Sequence, residues 1–324
     1  MISGTMAPTQ YDPVTAVWNW LGHLPRLLTE PGSPFWWPTI LVALAALLVM
    51  GLVGRASLAE MRRQALPAPP RRMLRQFAVD AALFLVNSAI PFLAAPLLLM
   101  ISAVGAALPV AALSPLLGLP EAGARLDTPA AMLLAALIPF VASDFALYWT
   151  HRLFHRFPLL WRAHRLHHEP EVLTPVTAFR FWPQEQVVHI AGSAFMNGFG
   201  LGIVASAFGA MVDPLTLLGV NVFTLAWNLG FSHLRHSHVA LPFPRWLSHV
   251  LVSPHMHQAH HSADAAQHDR NFATVFALWD WMFGTLYLPA KGERFRFGVD
   301  EHPGAEAAAA PAPPAPVLPR APAR

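Results

Sequence analysis

The chain has 324 residues, 55% of them hydrophobic and 12% charged, with a mean hydropathy of +0.42. Soluble domains carry about twice that charged fraction, so an ordinary soluble globule is excluded at the outset. The absence of cysteine removes disulfides, thiolate zinc sites and cysteine nucleophiles, and in so apolar a chain a net charge of +3 reads as membrane topology and not as nucleic-acid binding.

Residues 1–34 contain no long apolar run and read as an N-terminal flank without the basic start and cleavage site of a signal peptide. Phe35–Val53 carries no charge over 19 residues and reaches about 28 Å as a helix, enough to cross a bilayer. The loop 55–75 follows, with Arg55, Arg62, Arg63, Arg71, Arg72 and Arg75 against Glu60, an excess that marks the cytoplasmic side. The next apolar run, 77–108, holds Pro91 and Pro96 and is expected to kink or break, as one span or a re-entrant pair. Thr128 before Pro129 predicts a helix start and a third span to about Trp149. The stretch 187–231, interrupted between Met211 and Pro214, predicts a helical hairpin that leaves and returns. The sum is an all-α, polytopic membrane protein with about four to five spans. The boundaries expected are a flank at 1–34, an N-terminal membrane region at 35–128, a third region at 129–300, and a disordered Ala/Pro-rich tail at 301–324.

The histidines are the anomaly. There are 17, and they recur in pattern: His151-x3-His155, His164-x2-His167-His168 and His257-x2-His260-His261. At this frequency chance supplies about 0.05 copies of His-x2-His-His in the whole chain, yet two are present. On a helix, residues four apart share a face and can grip one ion, whereas an adjacent pair diverges by about 100° and can serve two. Neutral imidazole suits iron, zinc, copper and nickel alike. Eight or more imidazoles exceed the four ligands that structural zinc takes, which favours two metals.

His236 is favoured as a further ligand and His233 accompanies it, both where a returning span meets the clusters. His238, His255 and His268 read as outer-layer or plain loop residues, while His23, His189, His249 and His302 read as capped or solvated. Asp144, two helical turns before His151, is the candidate catalytic carboxylate, orienting a ligand or bridging; a polar residue satisfied inside the bundle is the competing reading. Asp269 and Asp280 are later candidates of the same kind. Glu169 and Glu185 are weaker candidates of that kind, and a solvated surface explains either.

The run DFALYWTHRLFHRFPLLWRAHRLHHEPEVLTPVTAFR (Asp144–Arg180), with SPHMHQAHHS (Ser253–Ser262) and HDRNFATVFALWDWMFGTLYLP (His268–Pro289), resembles the signature of the fatty acid hydroxylase / sterol desaturase superfamily over about 135–290. That resemblance implies a catalytic domain at 129–300 in which a cytosolic, histidine-rich helical cap holds two iron ions, zinc being able to substitute. It implies O2 as co-substrate and a lipid from the bilayer, such as a fatty acyl chain or sterol, that is hydroxylated or desaturated. Electrons would come from a separate donor of ferredoxin, cytochrome b5 or reductase type, since no second folded region is expected outside 35–300. The implied ligands are His151, His155, His164, His167, His168, His236, His257, His260 and His261, with His233 added. Where many members carry His-Ser/Ala-Asn, this chain has His236-Ser237-His238, which leaves the register of that ligand open.

Two rivals come from other classes. A metal-ion transporter would place His, Asp or Glu in mid-span along a pathway, and the clusters lie outside the apolar runs. A zinc-dependent membrane hydrolase would show His-Glu-x-x-His or an equivalent base, and the chain has none.

Overall fold

Proline opens most of the helices, because its fixed φ suits the first helical turn and its missing N–H is not needed there. The computed structural model describes residues 12–299 apart from 32, 34, 53–68, 119–124, 210–214, 219, 231 and 291. The greater part of the basic loop, the expected interruption at 211–214 and the tail lie outside the described residues. The helices are α1 (Pro13–His23), α2 (Trp37–Leu52), α3 (Pro70–Leu93), α4 (Ala95–Leu117), α5 (Pro129–Arg156), α6 (Pro158–His168), α7 (Pro183–Phe208), α8 (Val222–Gly230), α9 (Ser232–Arg235), α10 (Arg245–Ser248), α11 (Pro254–His260) and α12 (Leu278–Met282). Side-chain caps reinforce the proline starts: Thr128 accepts from Ala131 N at the head of α5, and Ser253 accepts from Met256 N at the head of α11.

Among the described residues four helices are long and apolar enough to cross a membrane: Arg71–Leu93, Ala95–Leu117, Pro129–Arg156 and Pro183–Phe208. Together they make this a multi-pass integral membrane protein, its described residues helical apart from one short hairpin, an isolated bridge between Ser262 and Phe297, and the connecting loops. The run 77–108 is interrupted at Ala94, between its two prolines, and α3 and α4 meet there. Pro96 has no N–H to give to the preceding turn, which is where a helix yields.

The second half of 187–231 departs from the expected helical hairpin. Gly209, at φ 74°, ends α7 in the left-handed conformation. The chain returns through a two-residue antiparallel hairpin, Thr216–Leu217 paired with Val220–Asn221. Helix resumes as α8, where the Asn221 side chain accepts from Phe223 N and Thr224 N. Nine residues of helix reach about 14 Å, half a bilayer.

The bundle is tightest along α7, which lies against α4 and α5. A Cβ on Gly198 would fall inside the carbonyl of Ser102, and one on Gly200 would stand 2.6 Å from the Pro139 Cα. Small residues let backbones touch where lipid supplies no hydrophobic drive for helix association.

Polar side chains within α3 fasten the segment beyond α6. Asp80 is fully buried, accepts from Arg180 Nη1 at 2.7 Å and from Thr177 Oγ1 at 2.8 Å, and so escapes the cost of a lone buried charge. Two turns on, Asn87 donates to the carbonyls of Phe179 and Phe181. Arg180 Nε in turn donates to the carbonyl of Leu166, one residue before the first of two adjacent histidines.

Candidate metal centre

Helix α5 runs past its apolar part and delivers His151 and His155 one turn apart. Phe157 then takes an extended conformation, Pro158 restarts the helix, and α6 brings back His164, His167 and His168. The short helices α9 and α11 add His236, just past the end of α9, and His257, His260 and His261.

Nine imidazoles fall into two groups. His151, His155, His164, His168 and His260 form one; His167, His236, His257 and His261 form the other, and within each the ligand atoms lie within 4.8 Å of one another. The helical spacing explains the sorting. His164 and His168, four apart, share a group while His167 between them faces the other. His257 and His261, four apart, share the second group while His260 crosses to the first.

The hydrogen bonds fix the protons. His151 Nδ1 lies 2.8 Å from the Phe272 carbonyl and His260 Nδ1 lies 2.8 Å from the Arg270 carbonyl. A carbonyl only accepts, so both rings must be protonated at Nδ1 and bare at Nε2. His164 Nδ1 lies 2.5 Å from the fully buried Glu185 carboxylate, with the same consequence. Yet His151 Nε2 and His168 Nε2 each sit 3.1 Å from His164 Nε2. The lone pairs of His151 and His164 face each other at that distance with no proton between them. His155 Nε2 and His260 Nε2 are buried without a partner. In the second group, His167, His257 and His261 place Nε2 at 3.0–3.2 Å from His236 Nε2.

Such convergence of bare nitrogens is unfavourable alone and is what a metal cation relieves. Burial, with the neighbouring imidazoles second, holds His164, His167, His168, His257, His260 and His261 well below the usual histidine pKa, and burial with the Arg235 charge does the same for His236. They are neutral near pH 7, the form that ligates. The donor set therefore fits two metal ions.

The remaining candidates stand apart. His233 Nε2 lies 2.9 Å from Thr39 Oγ1 on α2, outside both groups. Asp144 is buried on α5, but its carboxylate accepts from Val275 N, Phe276 N and Trp279 Nε1 at 2.9–3.0 Å. It ties the final loop to the span and meets no ligand. Asp280 does related work within that loop, accepting from Phe272 N, Ala273 N and Thr285 Oγ1, and burial pushes its pKa up to about 6. Asn271, at φ 55°, donates to the Met256 and Tyr287 carbonyls and so pins the loop to α11. His238 Nε2 accepts from Leu173 N, which resolves the register: His236 points in and His238 out.

Glu185, a weaker candidate by sequence, is the carboxylate that meets the histidines. It is 0% exposed, and His189, one turn further along α7, approaches the same oxygen at 3.5 Å while its own Nδ1 lies 2.8 Å from Thr150 Oγ1. The signal was the i,i+4 pairing of Glu185 with His189 at the head of an apolar helix.

The fatty acid hydroxylase family matches residues 136–285. The chain is similar to alkylglycerol monooxygenase of Homo sapiens, 29% identical over 164 residues that make up 51% of this chain and 32% of that protein. Ornithine lipid hydroxylase of Rhizobium tropici is 27% identical over 172 residues, 52% of this chain and 46% of its own. Very-long-chain aldehyde decarbonylase of Oryza sativa subsp. indica is 31% identical over 185 residues, 52% of this chain and 26% of its own. The chain thus spans less than half the length of these relatives. No solved structure matches. Residues 136–285, a little under half of the chain, thus match the fatty acid hydroxylase family.

Proposed function

We propose that this chain is a membrane-bound di-iron oxygenase that uses O2 and external electrons to hydroxylate a C–H bond of a lipid drawn from the bilayer. The observation that carries the proposal is the pair of histidine groups whose ring nitrogens converge at the end of a membrane span. In this reading His151, His155, His164, His168 and His260 hold one iron, and His167, His236, His257 and His261 hold the other. Bound there, two irons supply the O2 reduction and C–H oxidation that side chains alone cannot perform.

The rest falls to the protein. The Phe272 and Arg270 carbonyls and Glu185 set the tautomer and direction of three imidazoles. Burial of the ligands keeps bulk water from the reacting centre. The site lies where α5 leaves its apolar part, so a lipid held in the bilayer presents its chain to the metals without leaving the membrane. Relatives named for alkylglycerol and ornithine lipid support a polar lipid as the substrate class. Arg152, Arg156, Arg162 and Arg165 beside the site support a cytoplasmic orientation.

The test is elemental analysis of detergent-purified protein followed by incubation with alkylglycerols, ornithine lipids, O2 and a reducing system. About two irons per chain and an O2-dependent hydroxylated product are expected. A single zinc, or full metal content with no oxygenated product from any lipid class, would overturn the reading.

A further inference from the structure

The outer nitrogens of the five-histidine group lead in different directions, and one leads to solvent. His164 meets Glu185 and His151 meets the carbonyl of Phe272, both partners being buried. His155 is different. Its side chain is 8% exposed, yet its Nδ1 lies 3.6 Å from a carboxylate oxygen of Asp269, whose side chain is 68% exposed. The next residue, Arg270, gives its carbonyl to His260. Two imidazoles of one group are therefore a single contact from one exposed loop.

That loop is held in an uncommon shape. Asp269 and Asn271 both have positive φ, at 58° and 55°, a region that asparagine and aspartate enter more easily than other non-glycine residues. Cations surround it. Arg152, Arg156, Arg270 and His268 all lie close enough for their charges to act on Asp269, and Arg156 is exposed at the last turn of α5. Among the described residues none of the three guanidiniums is ion-paired to a carboxylate. The Arg152 guanidinium is instead spread over Trp149, bonded to Tyr148 and directed at the Phe283 carbonyl.

We infer that the last turn of α5 and the loop 268–271 form the docking face for a small, acidic, one-electron carrier protein, which delivers electrons to the metal centre beside His155. The inference rests on the oxygenase reading. Inserting one oxygen atom of O2 into a C–H bond and releasing the other as water takes two electrons and two protons. Two reduced carriers, each losing one electron, supply that pair. Three guanidiniums against the one carboxylate of Asp269 leave this surface net basic, and such a surface attracts an acidic partner and speeds its encounter. Contact with a ligand keeps the transfer distance short. The coupling to His155 is what favours a carrier over an anionic lipid headgroup, which would gain nothing from this position.

The experiment uses the full metal-loaded chain in zwitterionic nanodiscs and an acidic [2Fe–2S] ferredoxin as the probe, with binding read by biolayer interferometry. Expected are affinity that falls steeply with salt, a loss of about tenfold or more in Arg156→Glu, and no change in Arg125→Glu at the opposite end of α5. Metal content, measured in parallel, should stay at the parent value in both variants. Unchanged ferredoxin affinity in Arg156→Glu would overturn the inference. So would a defect confined to binding of anionic vesicles, which would mark the patch as a lipid contact. Ferredoxin binding is read without turnover, so failure of the oxygenase reading would appear in the lipid assay and not here.

Discussion

The two histidine groups share α6 and the segment at α11 and differ in what stands behind them. In the five-histidine group, His151, His164 and His260 have their outer nitrogens on protein acceptors, and His155 faces Asp269. In the four-histidine group, the Nδ1 atoms of His167, His236, His257 and His261 are all buried without a protein partner. An anchored imidazole keeps its tautomer and direction when the metal leaves; an unanchored one must be ordered again when the metal returns. The first group is thus a preorganised site, and the second owes its shape mainly to packing.

The comparison breaks most readily at its centre. His164→Ala removes the ring that His151 and His168 both approach, and His257→Ala removes one from the other group. Both are expected to abolish lipid oxidation. Elemental analysis should find that each loses about one of the two metals, and loss of both from either variant would show that the groups act as one cluster. Acid should act on both groups alike. The buried imidazoles are neutral in the fold, whereas in the unfolded chain they take protons below about pH 6.5. Their contribution to stability is therefore full above that pH and lost as pH falls. Metal-free protein should melt at steadily lower temperature from pH 7 to pH 5, while metal-loaded protein resists longer. A flat profile for the metal-free form would contradict this.

Glu185→Gln sharpens the contrast further. It takes the negative charge from behind His164 and has no counterpart in the four-histidine group. Affinity for the more tightly held metal should fall about 10–100-fold in chelator competition, with the weaker site unchanged. Asp144→Ala should act more gently and on stability. It strips partners from Val275 N, Phe276 N and Trp279 Nε1, at a cost of about 1–3 kcal/mol for each group left unsatisfied, read as a lower melting temperature with metal content retained. Deleting 303–324 is expected to change neither metal content nor activity; a dead truncation would give the tail a role in the site.

Most of this site was legible in the chain because helical spacing is arithmetic. His-x2-His-His sends its outer members to one side and its middle one to the other, and the two copies do so in opposite senses, so that His167 and His260 exchange places. The apolar lengths of 129–156 and 183–208 were readable for the same reason. What was not legible depended on tertiary contact. A carboxylate at position 185, in the first turn of a helix, looks like a solvated cap until α6 lays His164 against it. Asp144 looks like a ligand-orienting group until the loop 275–279 claims both its oxygens. His233 sits where a returning span meets the clusters, but its ring lies against Thr39 of α2. The return after α7 was misjudged because hydrophobicity continues through 215–231 while Gly209 and the hairpin interrupt the helix.

The glycines of α7 have a consequence for traffic. At Gly198 and Gly200 the backbones of α7, α4 and α5 touch with no room for a methyl group, and a methylene chain is wider than that. These two seams are welded shut to anything dissolved in the bilayer. A hydrocarbon tail that reaches the metals must therefore come in by another door, and the walls along α7 serve as the fixed side of the passage.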